Sequence, residues 1–204
     1  MILILDYGMG NLRSVQMKIQ MLNFQASISR DINSILAADK LILPGVGHFA
    51  EGMKNIKEFG ILDALHEAVI YKKIPILGIC LGMQLLTSFS EEGSVSGLGW
   101  IDASTNKIIS KSTEDLRIPH VGWNKVSQVN KSILFDNIEN DTRFYFTHTY
   151  AVQCHNKEDS IGETLYGDKF TSVIQKDNIY GTQFHPEKSH MTGLKLIQNF
   201  LEKS

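Results

Sequence analysis

The apolar stretch over residues 74–79 runs directly into Cys80, with Gly78 two residues before the cysteine and Gly82 two residues after it. Gly-x-Cys-x-Gly at the end of an apolar run constrains the backbone more than any other segment of the chain. It reads as a strand that turns sharply into a helix. The cysteine sits on the turn, and the glycines let neighbouring backbone close in around it. A sulfur there lies at a helix N-terminus, where the aligned peptide dipoles favour thiolate over thiol. The free N–H groups of the same turn are ready donors for a developing oxyanion. A buried, inert cysteine at a strand–helix junction leaves the same trace, so the chemical reading needs a base elsewhere in the chain.

The flanking pattern sets the fold class. Residues 1–5, 26–29, 40–43 and 74–79 read as short apolar strands. Between them, residues 11–22 carry Leu12, Val15, Ile19 and Leu22 on one helical face, and residues 53–71 carry Ile56, Phe59, Leu62, Leu65 and Val69 at helical spacing. Residues 80–89 read as the helix that follows the elbow. Strands alternating with helices predict an α/β fold with a mostly parallel central sheet flanked by helices. The second half changes character. Residues 121–129, 144–153, 171–175 and 179–184 read as strands with short connections, an antiparallel extension of the same sheet. A last helix is expected over residues 190–202, with Leu194, Ile197, Phe200 and Leu201 inward. Residues 106–117 read as a polar loop. No repeat or linker interrupts residues 1–204, so a single domain is expected.

The base is found near the C-terminus, in Gln183-Phe184-His185-Pro186-Glu187-Lys188. In an extended segment residues two apart point the same way, so His185 and Glu187 share a side. A carboxylate beside an imidazole fixes its tautomer and stabilises its protonated form, the third role in a Cys-His-acid triad. A histidine and a glutamate at a solvated strand end would look alike, and the cysteine elbow tips the balance toward chemistry. Of the other histidines, His48, His66, His155 and His190 read as surface or cap residues. His120 reads as structural or interfacial, and His148 could line a site. No histidine, cysteine or carboxylate spacing is of metal-ligand type, and no cofactor is expected. Cys154, in a polar stretch without glycines, reads as incidental.

Charge excludes two classes of partner. With 20 Lys and Arg against 22 Asp and Glu, the net charge of −2 leaves no footprint for nucleic acid or an anionic membrane. The apolar start of the chain lacks the basic flank of a signal peptide, and two cysteines make no disulfide framework. A cytoplasmic enzyme is expected.

Taken together, Gly78-Ile79-Cys80-Leu81-Gly82-Met83-Gln84 and His185-Pro186-Glu187 resemble the class I (triad-type) glutamine amidotransferase family. The likeness runs nearly end to end. The segments Asp6-Tyr7-Gly8-Met9-Gly10-Asn11-Leu12, Leu43-Pro44-Gly45-Val46-Gly47 and Pro119-His120-Val121-Gly122-Trp123-Asn124 are similar to the HisH branch, glutaminase subunits of imidazole glycerol phosphate synthase. The resemblance implies the class I glutaminase fold, with Cys80, His185 and Glu187 as the triad. It implies that residues 44–47 form an oxyanion strand, with donors from Val46, Gly47 and Leu81. Gln84, Glu92, His148, Thr149 and Tyr150 match glutamine-contacting positions, Glu92 pairing the substrate ammonium. Asn11, Trp123, Asn124 and Lys188 match positions near the interface with a HisF-like β/α-barrel synthase, in a heterodimer that uses the ammonia in histidine biosynthesis.

Two departures are visible. The segment Gly97-Leu98-Gly99-Trp100-Ile101 lacks an expected Pro-Gly, and Glu187-Lys188-Ser189-His190 is similar to HisH-like paralogues that supply ammonia to a surface-polysaccharide sugar amidotransferase. A cysteine hydrolase of another kind and a non-enzymatic binding module are the remaining classes.

Overall fold

Side-chain alternation along the strands divides the apolar residues into two cores, one on each face of a sheet. In the first strand Ile2 and Ile4 join one core while Leu3 and Leu5 join the other, and Ile42 is likewise separated from Leu41 and Leu43. The computed structural model describes residues 1–109 and 116–204. Its strands are β1 (Ile2–Leu5), β2 (Ala26–Ser29), β3 (Lys40–Gly45), β4 (Ile76–Cys80), β5 (Thr87–Ser90), β6 (Val95–Ser96) and β7 (Ile101–Lys107). They continue as β8 (His120–Gln128), β9 (Thr142–His148), β10 (Tyr150–Cys154), β11 (Ser160–Tyr166), β12 (Asp168–Lys176) and β13 (Ile179–Thr182). The helices are α1 (Leu12–Met21), α2 (Ile32–Leu36), α3 (Phe49–Glu58), α4 (Leu62–His66), α5 (Leu81–Leu85) and α6 (His190–Lys203). None among the described residues is long and apolar enough to cross a membrane.

The main path of the sheet runs β2-β1-β3-β4-β13-β12-β10-β7-β5-β6. The five strands from β2 to β13 pair in parallel. From β13 onward the β12, β10 and β7 pairings are antiparallel. Helices α1 and α6 cover one face through Val15, Ile19, Leu196, Ile197 and Phe200. Helices α3 and α4 cover the other through Phe49, Met53, Ile56 and Leu65. Burial on both faces explains the continuous apolar runs of the parallel strands. The expected α/β sheet with an antiparallel extension is the observed one.

Several boundaries differ from expectation. The helix expected over residues 53–71 starts earlier and breaks. His48 Nδ1 accepts from the Ala50 N–H and the Glu92 carboxylate from the Phe49 N–H, so α3 begins at Phe49, capped by a residue far along the chain. Gly60, at φ +67°, ends the turn after α3. The helix expected over residues 80–89 stops at Leu85, and Thr87–Ser90 is a strand. There the Thr87 hydroxyl and the backbone N–H groups of Leu98 and Trp100 take the terminal carbonyls of Gln84, Leu85 and Leu86. Residues 144–153 are two strands, because the chain leaves β9, paired with β8, and enters β10, paired with β7 and β12. Leu196 is buried where Leu194 was expected to be, and Leu194 is half-buried. Of the polar loop, Asn106 and Lys107 belong to β7, and residues 110–115 lie outside the described residues.

The elbow depends on close backbone packing. A methyl group on Gly82 would run into the carbonyl oxygen of Leu43, and one on Gly78 into the backbone of Gly82 and Met83. The opposing atoms are backbone in both cases and cannot swing away. Gly82→Ala is therefore expected to cost about 2–4 kcal/mol. Urea unfolding checks this, and a change below about 1 kcal/mol would contradict the packing described.

Candidate active site

Parallel pairing gathers the site at the carboxyl ends of β3, β4 and β13, where open α/β sheets bind ligands. Gly45 pairs with Cys80 across β3 and β4, and Thr182 with Ile79 across β13 and β4. The residues just beyond those pairs therefore flank the cysteine: Val46 and Gly47 on one side, Gln183 to His185 on the other.

Cys80 ends β4 and starts α5 with φ 54° and ψ −109°, a conformation that disfavours any side chain. Its Sγ lies 3.8 Å from the Thr147 carbonyl oxygen and 3.8 Å from Gln183 Nε2. His185 is buried, and its Nδ1 is 2.8 Å from Glu187 Oε1, a carboxylate that is also buried. The other ring nitrogen of His185, Nε2, has Cys80 as its neighbour. Burial disfavours the imidazolium, but hydrogen bonding to Cys80 and Glu187, and their charges, outweigh it and raise the pKa to about 10. The backbone of His185 is held by its N–H to the Tyr145 carbonyl at 2.9 Å and by the Ser189 hydroxyl, which donates to the His185 carbonyl at 2.6 Å.

In front of Cys80 lies a pocket of about 320 Å³ lined by Val46, Gly47, Leu81, Gln84, Glu92, His148, Thr149 and Tyr150, together with Pro119 and Thr147. Every residue expected to hold the oxyanion or the glutamine is on that lining. Gly47 has φ +122°, which only glycine adopts without strain, and Leu81 contributes the first N–H of α5. Gln84 Nε2 donates to the Tyr150 carbonyl at 2.9 Å and to Gln183 Oε1 at 3.1 Å, so its amide nitrogen ties the elbow to the pocket wall. One Glu92 oxygen is engaged by Phe49 N at 2.8 Å, leaving the other carboxylate oxygen for a ligand.

His148 Nδ1 is 2.8 Å from the Tyr150 carbonyl oxygen, and its Nε2 is 2.9 Å from His120 Nδ1. Burial pushes both imidazoles down, His120 to about 4 and His148 to about 3, so both rings are neutral near pH 7. His120 is buried and bonded to a residue of the pocket wall, which its sequence context did not reveal. Gln183 was also missed as a neighbour of the sulfur. It lies just past the end of β13, in the bend that leads to His185, where no local pattern marks it. Tyr7 was missed as well. Its hydroxyl is buried with no hydrogen-bond partner among the described residues, and burial, then the charge at Cys80, raises its pKa.

The four residues expected near a partner are at the surface or half-buried. Trp123 is 42% exposed and stacks on His190 at 4.9 Å, so it is not a core aromatic. Lys188 Nζ lies 5.9 Å from the centre of the Tyr145 ring, which meets Trp123 edge-on. Asn124 Nδ2 reaches His120 Nε2 at 3.3 Å and the Leu165 carbonyl at 3.0 Å. The Asn11 side chain caps α1 by accepting from the Ser14 N–H.

The sequence and the fold are similar to those of known proteins. Residues 4–204 match the family model for glutamine amidotransferase class-I. The chain is 50% identical over 204 residues to imidazole glycerol phosphate synthase subunit HisH 2 of Methanococcus maripaludis, covering 100% of both. It is 46% identical to subunit HisH 1 of the same organism, covering 99% of each. A crystal structure of a glutamine amidotransferase shares the fold, with a TM-score of 0.76 at 17% identity over 98% of this chain and 97% of that one.

Proposed function

The chain belongs to the class-I glutamine amidotransferases, and from that premise we propose that it is the glutaminase subunit of an imidazole glycerol phosphate synthase. It hydrolyses glutamine to glutamate and ammonia in the cytoplasm and passes the ammonia to a HisF-like barrel subunit in histidine biosynthesis. The observation that carries this reading is the buried His185–Glu187 pair beside a cysteine held at positive φ on the pocket wall.

The chemistry follows from those positions. The Cys80 thiolate attacks the side-chain amide carbon of glutamine, and the carbonyl oxygen takes the negative charge. The donors assigned to that oxygen are the backbone N–H groups of Leu81 and of the Val46–Gly47 region, which line the pocket, each contributing about 3–4 kcal/mol in the transition state. The His185 imidazolium gives its Nε2 proton to the amide nitrogen, the C–N bond breaks, and ammonia leaves a glutamyl thioester. Nε2 then takes a proton from water as the water attacks the thioester, releasing glutamate and restoring the thiolate. Glu187 holds the ring and stabilises its charge throughout. Glu92 pairs the substrate ammonium, and Thr149 and Tyr150 receive its carboxylate end. Ammonia protonates in bulk water, so it must leave by a shielded path. The exposed aromatic patch at Trp123 and Tyr145, with Lys188 beside it, suits the partner that provides one.

A second reading has its own support. Methanococcus maripaludis carries two numbered HisH subunits, both similar to this chain, so one cell can hold more than one such glutaminase. The paralogue would feed a surface-polysaccharide sugar amidotransferase by the same chemistry. Glutamate release separates the two. The chain alone is expected to turn over poorly, and the barrel synthase with its ribonucleotide ligand is expected to stimulate it at least about tenfold, about 1.4 kcal/mol off the barrier. Stimulation by the sugar enzyme alone moves the chain to the second reading, and substantial turnover without any partner contradicts both.

A further inference from the structure

We propose that His120 is a positioning residue for the glutaminase reaction, acting through a one-way hydrogen-bond chain from Asn124 to the Tyr150 carbonyl that sets the pocket wall. The proposal rests on the glutaminase reading and assigns a role to a residue that does not line the pocket.

The direction of the chain follows from donor and acceptor counting. The Tyr150 carbonyl can only accept, so His148 carries its proton on Nδ1, 2.8 Å away. His148 is neutral, so Nε2 is an acceptor, and His120 Nδ1 must donate to it across 2.9 Å. His120 Nε2 is then an acceptor and takes a proton of Asn124 Nδ2 at 3.3 Å, while Asn124 also donates to the Leu165 carbonyl at 3.0 Å. Every ring nitrogen has one partner, and no tautomer can be reversed without placing two lone pairs face to face. The His120 ring is held between Tyr166 at 3.8 Å and Phe146 at 4.8 Å, both within 23° of parallel.

The location gives the chain a consequence. At Thr149 the backbone leaves β9, paired with β8, and enters β10, paired with β7 and β12. The wall residues His148, Thr149 and Tyr150 therefore straddle a junction that a single strand ladder does not hold. The Tyr150 carbonyl takes two donors there, Gln84 Nε2 from the elbow helix at 2.9 Å and His148 Nδ1 from the relay at 2.8 Å. The first ties the wall to the nucleophile, and the second ties it to β8. Losing the His120 donor leaves a buried His148 nitrogen unpaired and frees the ring that donates to the Tyr150 carbonyl to turn away from it. Glutamine binding suffers, while Cys80 keeps its own environment.

His120→Phe keeps the stacked ring and removes both nitrogens. His120→Asn keeps an amide N–H at the position of Nδ1. The full chain and both variants are treated with a glutamine-shaped chloroketone, which must occupy the pocket, and with iodoacetamide, which needs only the thiol. His120→Phe is expected to raise the half-saturating chloroketone concentration about tenfold, with the limiting rate and the iodoacetamide rate within about twofold of wild type. His120→Asn recovers most of the loss. Chloroketone saturation unchanged in His120→Phe, or both reagents slowed alike, or no recovery in His120→Asn, overturns the proposal and leaves His120 as core filling. Wild type that the chloroketone does not saturate overturns the glutaminase reading and this proposal with it.

Discussion

Cys80→Ala is expected to abolish glutamine hydrolysis, a loss of at least about 10⁴-fold in turnover, because no other group in the pocket can form the thioester. The described residues hold one other cysteine, Cys154, which burial raises to about 11 and which is not on the pocket lining. Glutamate release in the presence of the stimulating partner measures the loss, and a variant retaining a tenth of the activity would sink the assignment. A companion variant tests the backbone. At φ 54° and ψ −109° the cysteine occupies space that suits glycine alone. Cys80→Gly is therefore expected to be inactive yet more stable by about 1 kcal/mol in urea unfolding. Strain retained at the nucleophile is the usual stability cost of an active site.

Glu187→Gln is expected to reduce turnover by about 10³–10⁴-fold with little change in glutamine affinity. An amide can present its N–H to His185 Nδ1 and favour the wrong tautomer, and it no longer offsets the imidazolium charge. The pH dependence shifts with it. His185 has a folded-state pKa of about 10 against an ordinary 6.5. Its protonated form therefore stabilises the fold fully below about pH 6.5, and that contribution is lost as pH rises through about 10. Without the Glu187 charge the folded value falls, because burial now meets less opposition. The variant should lose less stability than wild type between pH 7 and pH 10, and the alkaline limb of its residual activity should move to lower pH. Urea midpoints across that range, with a proton-NMR titration of His185, test both, and an unmoved titration would remove Glu187 from the triad.

How much was legible beforehand depended on how local the determinant was. The pair His185 and Glu187 was legible as close neighbours in the chain, but not for the reason expected: β13 ends at Thr182, and the short 3-10 turn Pro186–Lys188, not strand alternation, brings the Glu187 carboxylate back to His185 Nδ1. The elbow was legible because Gly78 and Gly82 leave a fixed spacing about Cys80. Glu92 was expected on the pocket, but its cap of Phe49 was not, since the two residues are 43 positions apart. The helix expected over residues 80–89 failed for the same reason. Its end is set by N–H groups arriving from Leu98 and Trp100. His120 and His148 lie 28 positions apart, and no periodicity relates them until β8 and β9 pair in register.

The sequence by itself determined the parallel sheet and singled out the cysteine elbow and a candidate base, because apolar strand runs, helical spacing and glycine placement act over a few residues. Only the tertiary structure decided which pocket wall the cysteine faces, which carboxylate oxygen remains free, and how the two buried histidines share their protons. Those depend on strand register and on side chains meeting across long chain separations, and a hydrogen bond has direction only once both partners are in place.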